Sequence, residues 1–252
     1  MSEEQKEESL KEEKLAVYGL KKVFGRKTAV AGIDFSMKKG EIVGFLGQNG
    51  AGKTTAFYMI AGFIKPTEGK IMLGDKEISK LPMYKRAQMG ISYLPQEASI
   101  FRKLTVEENI AAIIETRHDL NRKEKKELLE SLIEEFGIGH IRKQKAFTLS
   151  GGERRRTEIA RALSMKPKFL LLDEPFSGID PIAVAEIKGI IKGFAEKDIG
   201  VLITDHNVRD TLEITDRAYI ISHGQIMVAG SRAEILANEL ARKTYLGEGF
   251  SM

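Results

Sequence analysis

The residues Gly47-Gln48-Asn49-Gly50-Ala51-Gly52-Lys53-Thr54-Thr55 combine a glycine-rich turn with one amine and two hydroxyls, a set suited to holding a polyphosphate. Glycines let the backbone curl so that successive N–H groups point inward, and a following helix adds its free N–H donors and positive dipole end. Lys53 can then reach the terminal phosphates, Thr54 can ligate Mg²⁺ and Thr55 adds a hydroxyl donor. A second glycine turn, Leu149-Ser150-Gly151-Gly152-Glu153, opens an amphipathic run through Leu163. The N–H groups of Ser150, Gly151 and Gly152 form another anion site there, with Glu153 at the same nucleotide-facing turn. Two separate polyphosphate-facing turns in one chain point to closure around nucleotide with a second copy.

Adjacent carboxylates at Asp173 and Glu174 end the apolar run Phe169-Leu170-Leu171-Leu172. Asp173 is placed to join a Mg²⁺ shell, and Glu174 to act as general base on water. His206 closes Gly200-Val201-Leu202-Ile203-Thr204-Asp205, where an imidazole can bond a γ-phosphate and orient Glu174 and water. Gln96, in Tyr93-Leu94-Pro95-Gln96, follows a short strand and can offer its side-chain oxygen to Mg²⁺. The other histidines, His118, His140 and His223, lie in polar or loop-like settings and read as surface residues.

These residues need strands and helices to aim them. Glu41 to Gly47 is rich in β-formers and Thr54 to Ala61 is helix-compatible, so the first glycine turn joins a strand to a helix. Four consecutive apolar residues before Asp173 suit a strand buried on both faces of a parallel sheet, whose carboxyl end is where ligands bind. Between about Met83 and Lys145 helical periodicity dominates, through Ile110, Ile113 and Ile114 and then Leu128, Leu129, Leu132, Ile133 and Phe136. That stretch is expected to be a helical subdomain inserted in an α/β core with a mixed β-sheet. A strand pair is expected around His223-Gly224, followed by a helix from Ser231 to Leu246.

With 252 residues the chain can bury a substantial core. No run approaches the ~20 apolar residues of a membrane span, and the start lacks a signal-peptide apolar region, so a cytoplasmic location is expected. The absence of cysteine excludes disulfides and thiolate metal sites. Residues 1 to 14 carry six glutamates and three lysines and read as a solvated tail; residues 247 to 252 read as a short second tail. The remainder is basic, but it lacks a basic platform interleaved with aromatics, so no nucleic-acid partner is expected.

In order along the chain, these motifs resemble the ATP-binding-cassette (ABC) ATPases, from about Leu15 to Leu246. The resemblance implies a P-loop ABC ATPase core that binds ATP and Mg²⁺ and hydrolyses ATP as a homodimer beneath two transmembrane permease subunits. It implies that Phe24 stacks on adenine, with Tyr18 as the less well spaced alternative. Phenylalanine stands where the family usually has tyrosine, which keeps the π-face and loses the hydroxyl. It further implies that Gln96 belongs to the loop sensing Mg²⁺ and membrane subunits, that Ser177-Gly178-Ile179-Asp180 crosses between ATPase subunits, and that the signature turn grips the other subunit's ATP.

Within the family the chain resembles the ATPase subunits that extract lipopolysaccharide from the bacterial inner membrane. The likeness lies in Tyr93 to Arg102, Leu149 to Ala162, Thr204 to Arg209 and Tyr245-Leu246-Gly247-Glu248. It implies a location on the cytoplasmic face of that membrane, with Phe101 and Arg102 lining a groove for the permease helices. Branched-chain amino-acid importer ATPases share the size and motifs. A soluble iron–sulfur assembly ATPase is a further alternative. DNA clamps need a longer coiled-coil insertion than this spacing allows.

Overall fold

The computed structural model describes residues 13–246. Two sheets enclose one helix. The central sheet has six strands in the order β10-β9-β3-β8-β7-β6: β3 (Ile42–Leu46), β6 (Ile91–Leu94), β7 (Phe169–Asp173), β8 (Gly200–Thr204), β9 (Arg217–Ser222) and β10 (Gln225–Ser231). All neighbours are parallel except β10, which returns antiparallel beside β9. β3, β7 and β8 are buried at every residue, as strands covered on both faces must be.

The second sheet, β2-β1-β4-β5, is antiparallel and built from β1 (Lys14–Phe24), β2 (Lys27–Lys38), β4 (Glu68–Leu73) and β5 (Lys76–Glu77). Helix α1 (Lys53–Ala61) shares an apolar core with both sheets, in which Ala56, Phe57 and Ile60 meet Phe45 and Leu171 of the central sheet and Val17 and Phe35 of the second. The buried guanidinium of Arg86 fixes the far end of α1, donating to Met59 O and Ile60 O, both at 2.6 Å. A cation at a helix carboxyl end satisfies carbonyls that have no partner within the helix.

The opposite face of the central sheet carries the helices that follow α2 (Met83–Gln88). First come α3 (Val106–Ile114), α4 (Arg122–Glu135), α5 (Gly151–Leu163), α6 (Pro181–Glu196) and α7 (Val208–Ile214). α3, α5 and α6 bury Ile110, Ile159 and Ile187 in one core with Leu170, Leu172, Val201 and Ile203. Thr105, Asn121 and Ser150 each close a capping box with the glutamate three residues on, which fixes where α3, α4 and α5 begin.

The strand pair around His223-Gly224 is present as β9 and β10. The continuous helix expected from Ser231 to Leu246 is not. It divides into α8 (Arg232–Ala237), a turn at α9 (Glu239–Ala241) and a π-turn at Arg242–Leu246. Asn238 is extended and its side chain accepts from Ala241 N, so it ends one helix and caps the next. Ile91–Leu94, the short strand expected ahead of Gln96, is a strand of the central sheet within the stretch from Met83 to Lys145. Of the charged tail, residues 1–12 lie outside the described residues, as does 247–252, while Lys14 already pairs with Lys38 in the second sheet.

Candidate active site

The first glycine turn leaves β3 and enters α1. Gly47 and Gly52 have φ of 151° and 107°, and neither has room for a side chain. A Cβ on Gly47 would stand 2.2 Å from Ile221 O, and one on Gly52 would stand 2.6 Å from Ala29 O. The loop is therefore moulded against β9 and β2. The β9–β10 turn braces it further: Gly224 N donates to Ala51 O at 2.9 Å, and Ala31 N donates to Gly224 O at 2.8 Å. Gln48, Asn49, Gly50 and Thr54 are exposed at the loop, and Thr55 is half-buried. Lys53 is buried, its ammonium donating to Gly47 O at 2.6 Å and Gln48 O at 3.1 Å. Burial lowers the pKa of Lys53, while Glu174, Asp173 and Asp205 act in the opposite direction, which places all three carboxylates in the field of this ammonium.

At the end of β7, the buried Asp173 carboxylate accepts from Thr204 Oγ1 at 2.7 Å and from Tyr93 Oη at 3.1 Å. Glu174 turns sharply out of the strand with a φ of 43°, and its N–H donates to Thr204 O at 2.8 Å. This left-handed backbone redirects the side chain toward two neighbours. Gln96 Nε2 donates to Glu174 Oε2 at 2.6 Å, and His206 Nδ1 stands 3.4 Å from the same oxygen. Asp205 also lies 3.4 Å from that imidazole nitrogen. Burial pushes the Asp205 carboxyl above its ordinary value, opposed by the N–H groups of Asn207 and Phe176 that it accepts. The structure thus brings Lys53, Gln96, Asp173, Glu174 and His206 to one place. A carboxylate flanked by an amide and an imidazole beside a phosphate-type loop can activate water against an anhydride.

The second glycine turn has other neighbours. Ser150 caps α5, and its N–H and hydroxyl donate to Glu153 Oε2 at 2.9 and 2.8 Å. Those contacts hold the Glu153 carboxyl below its ordinary value, backbone N–H first. Gly152 packs so closely on Ala183 that a Cβ would come within 2.8 Å of it, and Gly178 O lies 3.4 Å from a Cβ built on Gly151. Phe24 ends β1 half exposed, with Lys22 Nζ 5.1 Å from its ring centroid.

Four contributors are not legible in the sequence. Tyr93 and Thr204 orient Asp173, yet each sits in an ordinary strand pattern. The His223-Gly224 turn reads in the sequence only as a strand connector. Arg155 lies within Arg154-Arg155-Arg156, whose place directly after the second glycine turn reads as a surface for subunit or membrane-domain contacts. In fact Arg155 is buried, donates to Pro95 O at 2.9 Å and pairs with Glu158 at 3.4 Å. Glu158 in turn accepts from Ser99 N at 2.6 Å, so α5 grips the loop that carries Gln96 from both sides.

Comparison with known proteins adds the family. Residues 30–177 match the model of the ABC transporter family. A probable ABC transporter ATP-binding protein of Azorhizobium caulinodans is 52% identical over 94% of this chain and 84% of its own. The lipopolysaccharide export system ATP-binding protein LptB is 51% identical in Haemophilus influenzae and 49% in Escherichia coli K12, each over 94% of this chain and 99% of its own. Among solved structures, the ATP-binding cassette MJ1267 of an ABC transporter in its ADP conformation superposes with a TM-score of 0.83. It is 28% identical, with 94% of this chain and 99% of that one covered. Motifs, geometry and likeness agree: the chain belongs to the ABC transporter family, as one of its ATP-binding, ATP-hydrolysing subunits.

Proposed function

We propose that this ATPase powers the extraction and export of lipopolysaccharide from the inner membrane, working as a homodimer on the cytoplasmic face beneath two transmembrane permease subunits. The observation that carries the cargo is the near full-length likeness to proteins named as lipopolysaccharide export ATP-binding proteins. No helix among the described residues is long and apolar enough to cross a membrane, which accords with membrane attachment through partners.

In this reading the N–H groups of residues 47 to 55 and the Lys53 ammonium hold the phosphates. Thr54, Gln96 and Asp173 present only oxygen donors, the hard set that suits Mg²⁺, which when bound neutralises phosphate charge. Glu174 takes the proton of the attacking water. His206 holds that carboxylate and the γ-phosphate in register, and Gln96 orients the carboxylate from the other side. Phe24 offers its exposed ring to adenine. Ser150, Gly151, Gly152 and Glu153 of one copy face the nucleotide held by the other, so loss of the γ-phosphate opens the pair.

The helices α3 and α4 would form the inserted lobe. Beside them a cleft of about 280 Å³ is lined by Met83, Tyr93, Phe101, Ile113 and Arg161. Phe101 is 48% exposed with the Arg161 guanidinium 5.0 Å from its ring centroid, and Arg102 is exposed next to it. An aromatic anchor backed by a cation suits a docked permease helix.

The test is mass spectrometry of proteins retained by tagged Glu174→Gln after gentle membrane solubilisation from the native host with ATP present. Two lipopolysaccharide-export membrane subunits are expected. Recovery of an amino-acid importer pair, or of soluble partners alone, would overturn the cargo assignment and leave the ATPase intact.

A further inference from the structure

Helix α6 starts beside the signature turn, and helix α7 starts immediately after His206. Asp180 caps α6 by accepting from Ala183 N at 3.0 Å, and Ala183 is the residue against which Gly152 packs. Asn207 caps α7 by accepting from Asp210 N at 3.2 Å. Between the two helices opens a cleft of about 560 Å³, walled by Phe176, Ile179, Asp205 and His206 among others. One side chain spans from α6 to α7 there. Lys188, 11% exposed, donates to Asp210 Oδ1 at 2.6 Å and Glu213 Oε2 at 2.7 Å.

The contacts continue beyond the ion pair. Asn207 Nδ2 donates to Asp210 Oδ2, and Asn207 N donates to Asp205 Oδ1 at 2.8 Å. Asp205 Oδ2 accepts from Phe176 N at 3.4 Å, and Asp205 Oδ1 stands 3.4 Å from His206 Nδ1. A bonded path therefore runs from α6 through Lys188 and Asp210 to the loop that aims His206. Burial acts to lower the Lys188 pKa, but the two carboxylates outweigh it and hold it above the ordinary value. The clamp stays charged. Without the ammonium, Asp210 and Glu213 lose the cation that bonds both, and the hydrogen-bonded link from α6 to α7 is broken.

We propose that Lys188 is a positioning residue for ATP hydrolysis: by clamping Asp210 and Glu213 it makes α6 and α7 one body, so that the signature turn and His206 move together. The role rests on the reading of His206 given above. It requires no contact of Lys188 with nucleotide. Its loss therefore acts on turnover rather than on ATP affinity.

The test is steady-state ATPase kinetics of the full-length chain, each variant assayed well below its own unfolding midpoint. Lys188→Met is expected to lower kcat about tenfold while KM for ATP stays within about twofold, and Lys188→Arg to recover most of the loss. Combined with His206→Ala, Lys188→Met is expected to add nothing, because both changes remove the same placement. Unchanged kcat in Lys188→Met, or a loss that multiplies with that of His206→Ala, would overturn the strut. Should Lys188→Met fail to fold, Glu213→Gln removes one arm of the clamp and is expected to cost about threefold in kcat; an unchanged kcat there also overturns it. A His206→Ala variant that turns over normally would instead overturn the role of His206.

Discussion

Gln96 and Glu174 are joined by a 2.6 Å hydrogen bond from the Gln96 amide to the carboxylate at the end of β7. The bond ties the loop after β6 to the candidate base, so a displacement of that loop moves Glu174. Because the base stands outside the loop of residues 47 to 55, removing its charge leaves the phosphate cradle whole. Glu174→Gln is expected to keep nucleotide affinity within about threefold while single-turnover hydrolysis falls by roughly 10²- to 10⁴-fold. Light scattering with ATP present is expected to show a trapped dimer. Rapid turnover by this variant removes Glu174 from the role of base.

Lys53 is the opposite case. Its ammonium is buried against Gly47 O and Gln48 O, within the loop itself, and in the field of three carboxylates. Lys53→Ala is expected to impair nucleotide binding and hydrolysis together, with ATP affinity lower by at least about tenfold, as the loss of a buried phosphate counter-charge requires. Equilibrium titration with a fluorescent ATP analogue measures it. Wild-type affinity would refute the assigned contact.

The legible parts of the site were those where one residue type does one job in a forced place. An apolar run buried on both faces ends in Asp173-Glu174 or in Asp205-His206, and those polar ends emerge at the ligand-binding edge of a parallel sheet. Gly47 and Gly52 announce the loop because no other residue fits their φ and their neighbours. The antiparallel sheet is less legible. Its β1–β2 pairing shifts register three times, and in β2 the alternation of Ile33, Phe35 and Met37 breaks before it reaches Val30. Arg155 is hidden for a different reason. Only the phase of α5 separates it from Arg154 and Arg156, and its partners Pro95 O and Glu158 are set by tertiary packing.

The capping box of α5 gives a pH-dependent expectation. Hydrogen bonds from Ser150 hold the Glu153 carboxyl below 4.5 in the folded chain. A depressed folded pKa means that the unfolded chain binds the proton more readily, so the stabilisation is complete above 4.5 and is lost as pH falls through the folded value. Glu153→Gln keeps a side chain able to reach Ser150 and loses the charge. Denaturant titrations are expected to show it less stable by about 1 kcal/mol or less at neutral pH, with the gap closing in acid. A gap that is constant with pH would mean that the carboxylate charge contributes nothing to the cap.

Phe101 separates partner binding from chemistry. Its ring is half exposed beside the cleft between α2, α3 and α5, while Phe101 N and O are pinned by Asn109 at 2.8 and 3.1 Å. The backbone of this loop is therefore held independently of the ring. Phe101→Ala is expected to leave ATP turnover of the isolated subunit within about twofold and to lower its recovery in a membrane complex by about tenfold or more, the loss usual for an aromatic anchor at an interface. Co-purification with the permease subunits, set against ATPase activity of the same preparation, measures both. Equal recovery with the wild type would take Phe101 out of the interface. A loss of turnover in the isolated subunit would instead show that the ring supports Gln96 through the loop they share, since Ser99 between them is held by Glu158 and Arg161 of α5.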